Sequence, residues 1–208
     1  MAYCDWWKES EMMKEYHEAE WGIPVHDDRR QFEFIVMEVM QCGLNFRMIL
    51  KKREIFRSCF DDFDCDAVAA FGEKDIAHIL TVPGMIHSRR KIEAVINNAM
   101  CFQQIRKEYG SFSVYLWQYT NGKTILYHNH EKGYVPASNA LSDKISKDMK
   151  ERGFQYLGSI TVYSHLQAAG LINDHGEDCP CYKKINAENP TIYKRRELEQ
   201  GIHFYNSK

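Results

Sequence analysis

Histidines and cysteines placed near both ends of the chain constrain its fold more than any other feature. His175 and Cys179, in "NDHGEDC", are four residues apart, a spacing that zinc sites use. Two ligands do not complete a tetrahedral shell, and Cys4 with His17 is a pair that could supply the rest. A site of Cys4, His17, His175 and Cys179 pins the N-terminal and C-terminal segments together and turns everything between them into one closed loop. Two thiolates and two imidazoles fill the shell of a zinc ion, which suits a structural role and leaves no position for water. Spacing alone leaves open Cys181 in place of Cys179 and His26 in place of His17. It also leaves open the plain reading of buried thiols and surface histidines.

The seven cysteines form no framework, which reads as the reduced thiols or metal ligands of a cytoplasmic protein rather than as disulfides. No apolar run approaches the roughly 18–20 residues of a membrane helix. The opening "MAYCDWWKES" lacks the pattern of a signal peptide. No membrane partner is expected. The length suits one domain of two helical lobes sharing a cleft. We place it at residues 1–185, with 186–208 as a C-terminal extension; the tail after 182 is polar and reads as peripheral. The net charge of −2 argues against a broadly basic nucleic-acid binder but allows local patches. "KKR" at 51–53 and "SRRK" at 88–91 are the densest, and each is equally well a solvated helix face.

The five prolines stand at positions 24, 83, 136, 180 and 190, leaving long stretches free to be helical. Residues 28–42 carry Phe32, Ile35, Val36 and Val39 at helical spacing, and 45–58 continue with Phe46, Ile49, Leu50 and Phe56. Two short helices follow in "DCDAVAAF" and "EKDIAHIL", then a long one through 87–109 that ends near Gly110. Residues 138–153 read as a helix capped by Ser138 or Asn139 and stopped at Gly153. "SITVYSHLQAAG" reads as another. Residues 120–136 have the weakest pattern, an irregular connection with room for a short hairpin. The fold class is all-α.

Two features suggest chemistry beyond the metal. Glu38 is the one charged residue between Glu33 and Arg47, and a carboxylate in such a run is costly to bury without partners. It either faces solvent or lines a pocket. Trp6, Tyr16, Trp21 and Phe46 are its candidate companions, and an aromatic pocket with one carboxylate suits a flat cationic ring. The second feature is "HILTVPGMIHSRRKI", which resembles a helix-hairpin-helix DNA-binding element. A tight turn at Gly84 would bring backbone N–H groups toward a phosphate, with Ser88, Arg89 and Lys91 nearby. Ile86 departs from that pattern, which has a second glycine there.

Taken together, these residues resemble the 3-methyladenine DNA glycosylase I family of bacterial alkylation repair. The similarity runs through residues 1–181. It is carried by "Cys4-x-Trp6", "Tyr16-His17…Glu20-Trp21-Gly22-x-Pro24", Glu38 followed by "Gly43-Leu44", "Lys51-Lys52-Arg53-Glu54", "Lys150-x-Arg152-Gly153-Phe154" and "Asn173-Asp174-His175". The resemblance implies a helix-hairpin-helix glycosylase fold with structural zinc on Cys4, His17, His175 and Cys179. It implies a monomer that hydrolyses the N-glycosidic bond of 3-methyladenine in double-stranded DNA once the nucleotide leaves the stack.

Methylation at N3 makes the base a good leaving group, so recognition dominates. Glu38 and Tyr16 would serve the reaction, while Trp6, Trp21 and Phe46 would hold the base. The Gln41–Asn45 turn, with Gly43 and Leu44, would prop open the duplex. No lysine marks itself for a Schiff base, so no strand cleavage by that route is expected. The chain departs from the family pattern at Asn45 (serine), Phe46 (tryptophan) and Met13 (tyrosine), positions that bear on substrate range. A lesion binder without turnover, a glycosylase for other alkylated bases and a zinc-dependent hydrolase are the competing functions.

Overall fold

A computed structural model describes residues 3–128 and 135–195. It is mostly helical. A 3-10 turn over Tyr3–Glu9 leads into α1 (Glu11–Ala19). The central helix α2 (Asp28–Gln41) is followed by α3 (Phe46–Lys51) and α4 (Arg53–Cys59). Lys52, at φ −97° and ψ 2°, divides the 45–58 stretch into those two short helices. Next come α5 (Cys65–Ala69), α6 (Glu73–Ile79) and α7 (Arg89–Tyr109), then α8 (Phe112–Trp117), β1 (Thr124–His128) and α9 (Ala140–Glu151). The chain continues with α10 (Ser159–Ala168), α11 (Pro180–Glu188) and β2 (Thr191–Arg195).

The helix α2 sits at the middle because its run from Phe32 to Met40 is apolar apart from Glu33 and Glu38 and so offers no continuous polar face to solvent. Every residue from Gln31 to Met40 is buried. Asp27 starts it by accepting from the Arg30 N–H at 2.8 Å. Helices α3, α4, α7, α8 and α10 surround it. Phe32 meets Phe102 of α7, which stacks on Phe112 of α8 at 4.2 Å between ring centres. At α9 the cap is reciprocal: Asn139 accepts from the Ser142 N–H, and Ser142 Oγ accepts from the Asn139 N–H, both at 2.9 Å.

The all-α expectation requires one correction. β1 and β2 form a two-stranded parallel ladder, Thr124 opposite Thr191, and Ile125 bridges Ile172 on its other side. The weak pattern at 120–136 therefore contains a strand, but its partner lies in the tail rather than in a local hairpin. "TILYH" and "TIYKR" have strand-forming residues; each is simply too short for periodicity to reveal. Residues 129–134 lie outside the described part. Within α11 Ile185 is buried, so this helix packs against the body, and residues 196–208 lie outside the described part. Among the described residues no helix is long and apolar enough to cross a membrane.

Candidate active site and metal centre

α1 carries the key side chains of two sites in consecutive residues. Ser10 opens the helix by accepting from the Met13 N–H at 3.3 Å. At its far end Tyr16 and His17, both buried, turn in different directions. His17 joins Cys4, His175 and Cys179, and one ligand-type atom from each lies within 4.8 Å of the others. His175 Nδ1 is 3.1 Å from His17 Nε2, 3.6 Å from Cys179 Sγ and 3.8 Å from Cys4 Sγ. Cys179 Sγ is 3.7 Å from His17 Nε2. Bonds of 2.0–2.3 Å to a shared tetrahedral cation would set such atoms roughly 3.3–3.8 Å apart, so the donor set fits one.

The surroundings orient these ligands. The His175 ring donates from Nε2 to the Trp21 carbonyl at 2.9 Å, which leaves Nδ1 bare toward the cluster. Cys4 Sγ accepts the Gly176 N–H at 3.2 Å. Asn173 accepts the His175 N–H at 3.1 Å and is itself held by Asn186. Gly22 has a φ of +80°, and a Cβ there would stand 3.1 Å from the His175 ring, so only glycine fits against it. Burial pushes His175 down to about 4 and also lowers His17, keeping both rings neutral; burial pushes the Cys4 thiol up to about 12. A cation would favour the thiolate form that burial opposes at Cys4. His26 packs on Trp117 instead, and Cys181 lies outside the four, which decides both alternatives that spacing left open.

Tyr16 faces the other way. Its ring centre lies 4.9 Å from Phe46 and 6.4 Å from Trp6, and Trp6 meets Trp21 edge-on at 5.3 Å. Trp21 also stands edge-on to His175 at 4.6 Å, so one ring joins this aromatic group to the cluster. Glu38, in the last turn of α2, is 8% exposed, and burial pushes its carboxyl up to about 8. Tyr16 lies well above the usual phenol range, first from burial and then from Glu38. Among the described residues neither the Glu38 carboxylate nor the Tyr16 hydroxyl has a hydrogen-bond partner. Two unpartnered polar groups among aromatic rings are what a pocket awaiting a polar, flat ligand needs. The solvent-facing reading of Glu38 is excluded. Met13 is buried in the same core.

The residues expected to touch DNA divide. Cys42 (φ −41°, ψ 112°) and Gly43 (φ +78°) form a type II turn closed by the Leu44 N–H on the Gln41 carbonyl at 2.6 Å. Leu44 stands out from it, 39% exposed. Asn45 starts α3 without a side-chain cap. Gly84 lies in the α6–α7 turn, its carbonyl accepting from Lys52, and Ser88 begins α7 without a side-chain cap.

The cations of this stretch are placed differently. Arg89 is exposed and pairs with Glu73 and Glu93, both at 2.8 Å. Lys91 is buried and donates to the Met40 and Cys42 carbonyls at 2.6 and 2.8 Å, out of reach of a phosphate. Arg90 is exposed as well, with no ion pair among the described residues. Sequence reading also passed over a network of Arg30, Arg53 and Arg57 with Glu20 and Glu33. Its residues come from three separate segments, and no spacing announces it.

Comparison with known proteins agrees with this geometry. The profile of the methyladenine glycosylase family matches residues 6–182. DNA-3-methyladenine glycosylase 1 of Escherichia coli (strain K12) is 37% identical over 88% of this chain and 97% of its own length. DNA-3-methyladenine glycosylase of Haemophilus influenzae is 36% identical over 86% and 96%. The Y16F form of 3-methyladenine DNA glycosylase I in complex with 3-methyladenine superposes with a TM-score of 0.82 at 35% identity, over 88% of this chain and 98% of the other. The E38Q mutant of the Staphylococcus aureus enzyme gives the same TM-score and coverage at 36% identity.

Proposed function

The chain belongs to the methyladenine glycosylase family, and we propose that it removes 3-methyladenine from alkylated double-stranded DNA by hydrolysis, as a monofunctional base-excision enzyme. The observation that carries this reading is Glu38: an enclosed carboxyl with no hydrogen-bond partner of its own, close enough to Tyr16 to raise its hydroxyl. Such a group stabilises a cationic base far more than a neutral one, because the low dielectric around it strengthens their attraction.

In the proposed reaction the damaged nucleotide swings out of the stack and its base enters between Trp6, Tyr16 and Phe46. As the cation arrives Glu38 gives up its proton to solvent and accepts hydrogen bonds from the adenine edge, and Tyr16 adds a polar contact. The bond from C1′ to N9 then breaks, its electron pair going to N9 and neutralising the base. Water adds to C1′ and loses its proton to solvent, leaving an abasic sugar. Trp21 supports the Trp6 ring from the side of the cluster. One chain contains both the pocket and the four-ligand cluster, which supports a monomer as the working unit. All seven cysteines are unpaired, as suits the cytoplasm.

Zinc is the metal we assign to Cys4, His17, His175 and Cys179, because two thiols with two neutral imidazoles match its preferences. It would supply a crosslink between the chain ends, and with four protein ligands it would leave no site for a reacting water. A zinc-dependent hydrolase is therefore disfavoured by the donor set itself. Elemental analysis should find one zinc per chain, and chelation should lower the melting temperature. The test of function is chromatography of bases released from methylated duplex DNA. The proposal expects 3-methyladenine from the wild type and at least roughly 100-fold slower release by Glu38→Gln. A folded wild type that binds the lesion and releases no base would instead be a lesion binder, with Phe46 and Met13 the first positions to revert toward the family pattern.

A further inference from the structure

Lys91 is buried, cationic and without use in the reaction just described. It is 8% exposed, and among the described residues no carboxylate pairs with it. Burial lowers its pKa, yet its ammonium donates two short hydrogen bonds, to the Met40 and Cys42 carbonyls. The helix α2 has no basic residue in its own last turn, so α7 supplies the charge its C-terminal carbonyls call for.

The choice of carbonyls is the informative part. Cys42 and Gly43 are the two central residues of the 41–44 turn, so the Cys42 carbonyl belongs to its central peptide. That peptide is the one that flips when a type II turn becomes type I, and a flip carries the carbonyl away from the ammonium. The opposite side of the turn is held more weakly, by the Cys42 thiol 3.7 Å from the Tyr156 carbonyl and 3.9 Å from Thr161 Oγ1. Beyond this clamp projects Leu44, apolar and unsupported by the core. Glu38 stands one turn back on the same helix end.

We propose that Lys91 is a positioning residue for base extrusion: by fixing the central peptide of the 41–44 turn it presents Leu44 to the duplex in register with the Glu38 pocket. The inference rests on the glycosylase reading above. It separates two properties that a purely structural lysine would keep together. Binding of the free base depends on the Glu38 and Tyr16 pocket, whereas excision from duplex DNA depends also on the turn.

The experiment compares wild type, Lys91→Met and Lys91→Gln. It measures single-turnover release of 3-methyladenine from methylated duplex DNA, and affinity for free 3-methyladenine by tryptophan fluorescence. A misplacement of about 1 Å at a reacting assembly costs on the order of 100-fold, so release by Lys91→Met should fall roughly 30-fold or more. Its affinity for the free base should stay within about threefold of wild type, since no pocket group is touched. Lys91→Gln, which keeps N–H donors but no charge, should lie between, and it carries the test if Lys91→Met does not fold. Equal losses in release and free-base affinity would make Lys91 a structural cap and overturn the proposal. Unchanged release would overturn it too. Absence of release by the wild type would overturn the glycosylase reading and this inference with it, a result distinct from either.

Discussion

Glu33 and Glu38 lie five residues apart on the same helix and are almost equally enclosed, at 3% and 8% exposed, yet the protein treats them in opposite ways. Around Glu33 the chain gathers Arg30, Arg53 at 2.6 Å and Arg57 at 3.2 Å. Burial raises the Glu33 carboxyl, but hydrogen bonds and charge from Arg53 and Arg30 outweigh it and hold the group below its ordinary value. Glu38 receives nothing, and burial alone carries it up to about 8. One carboxylate is part of the frame. The other is left incomplete, and incompleteness of that kind is how a binding site differs from a core.

Removing one member of a compensated buried group should be the harshest way to break this contrast. Glu33→Ala leaves Glu20 alone to offset Arg30 and Arg53 and should destabilise the protein by about 2–3 kcal/mol in denaturant titrations. Base release should then fall only in step with the folded fraction. Glu38→Gln should do the reverse, removing most turnover while raising stability. The sign follows from proton binding: between the ordinary glutamate value and about 8, the folded state holds a proton on Glu38 that the unfolded state has lost. Stability from this group therefore falls as pH rises through that window. The mutant's advantage should be on the order of 1–2 kcal/mol at pH 8 and shrink toward pH 5 in paired thermal melts.

Glu33 gives the opposite profile, since its lowered value means a contribution present above the ordinary glutamate range and lost below it. In a Glu38→Gln background, acid melts should report that loss with the Glu38 effect removed. A stability gain for Glu38→Gln that grew toward pH 5 would contradict the assignment of an enclosed, unpartnered carboxyl. Least dramatic should be Arg57→Ala. That guanidinium is about one-third exposed and shares Glu33 with two better-placed arginines, so less than about 1 kcal/mol is expected from the same titrations.

The sequence made much of the frame legible because its signals are local. Apolar spacing marked α2, Gly110 marked the end of α7, and Asn139 marked the start of α9. The four-ligand cluster was legible for a different reason: cysteine and histidine are scarce, so pairing them across the chain left few combinations. What stayed hidden depends on long-range meetings of common residues. Arg53 and Glu33 are ordinary in type, and only the packing of α4 against α2 makes them partners. Lys91 looked like one more cation in "SRRK" because a basic run does not say which member faces inward. The pairing of β1 with β2 was invisible because neither strand is long enough to announce a partner in the tail.

Tyr16 and His17 are neighbours on α1, but one belongs to the pocket and the other to a cluster completed by residues 175 and 179. That adjacency sets an order of events during synthesis. The helices from α2 to α10 can pack as they emerge, whereas Trp6, Tyr16 and Trp21 gain their fixed wall only after Cys179 has left the ribosome and the long loop closes at its entropic cost. A nascent chain would thus have its scaffold before it has a competent pocket. The base-recognising surface would be assembled last, in the same step that brings Cys4 and His17 to His175 and Cys179.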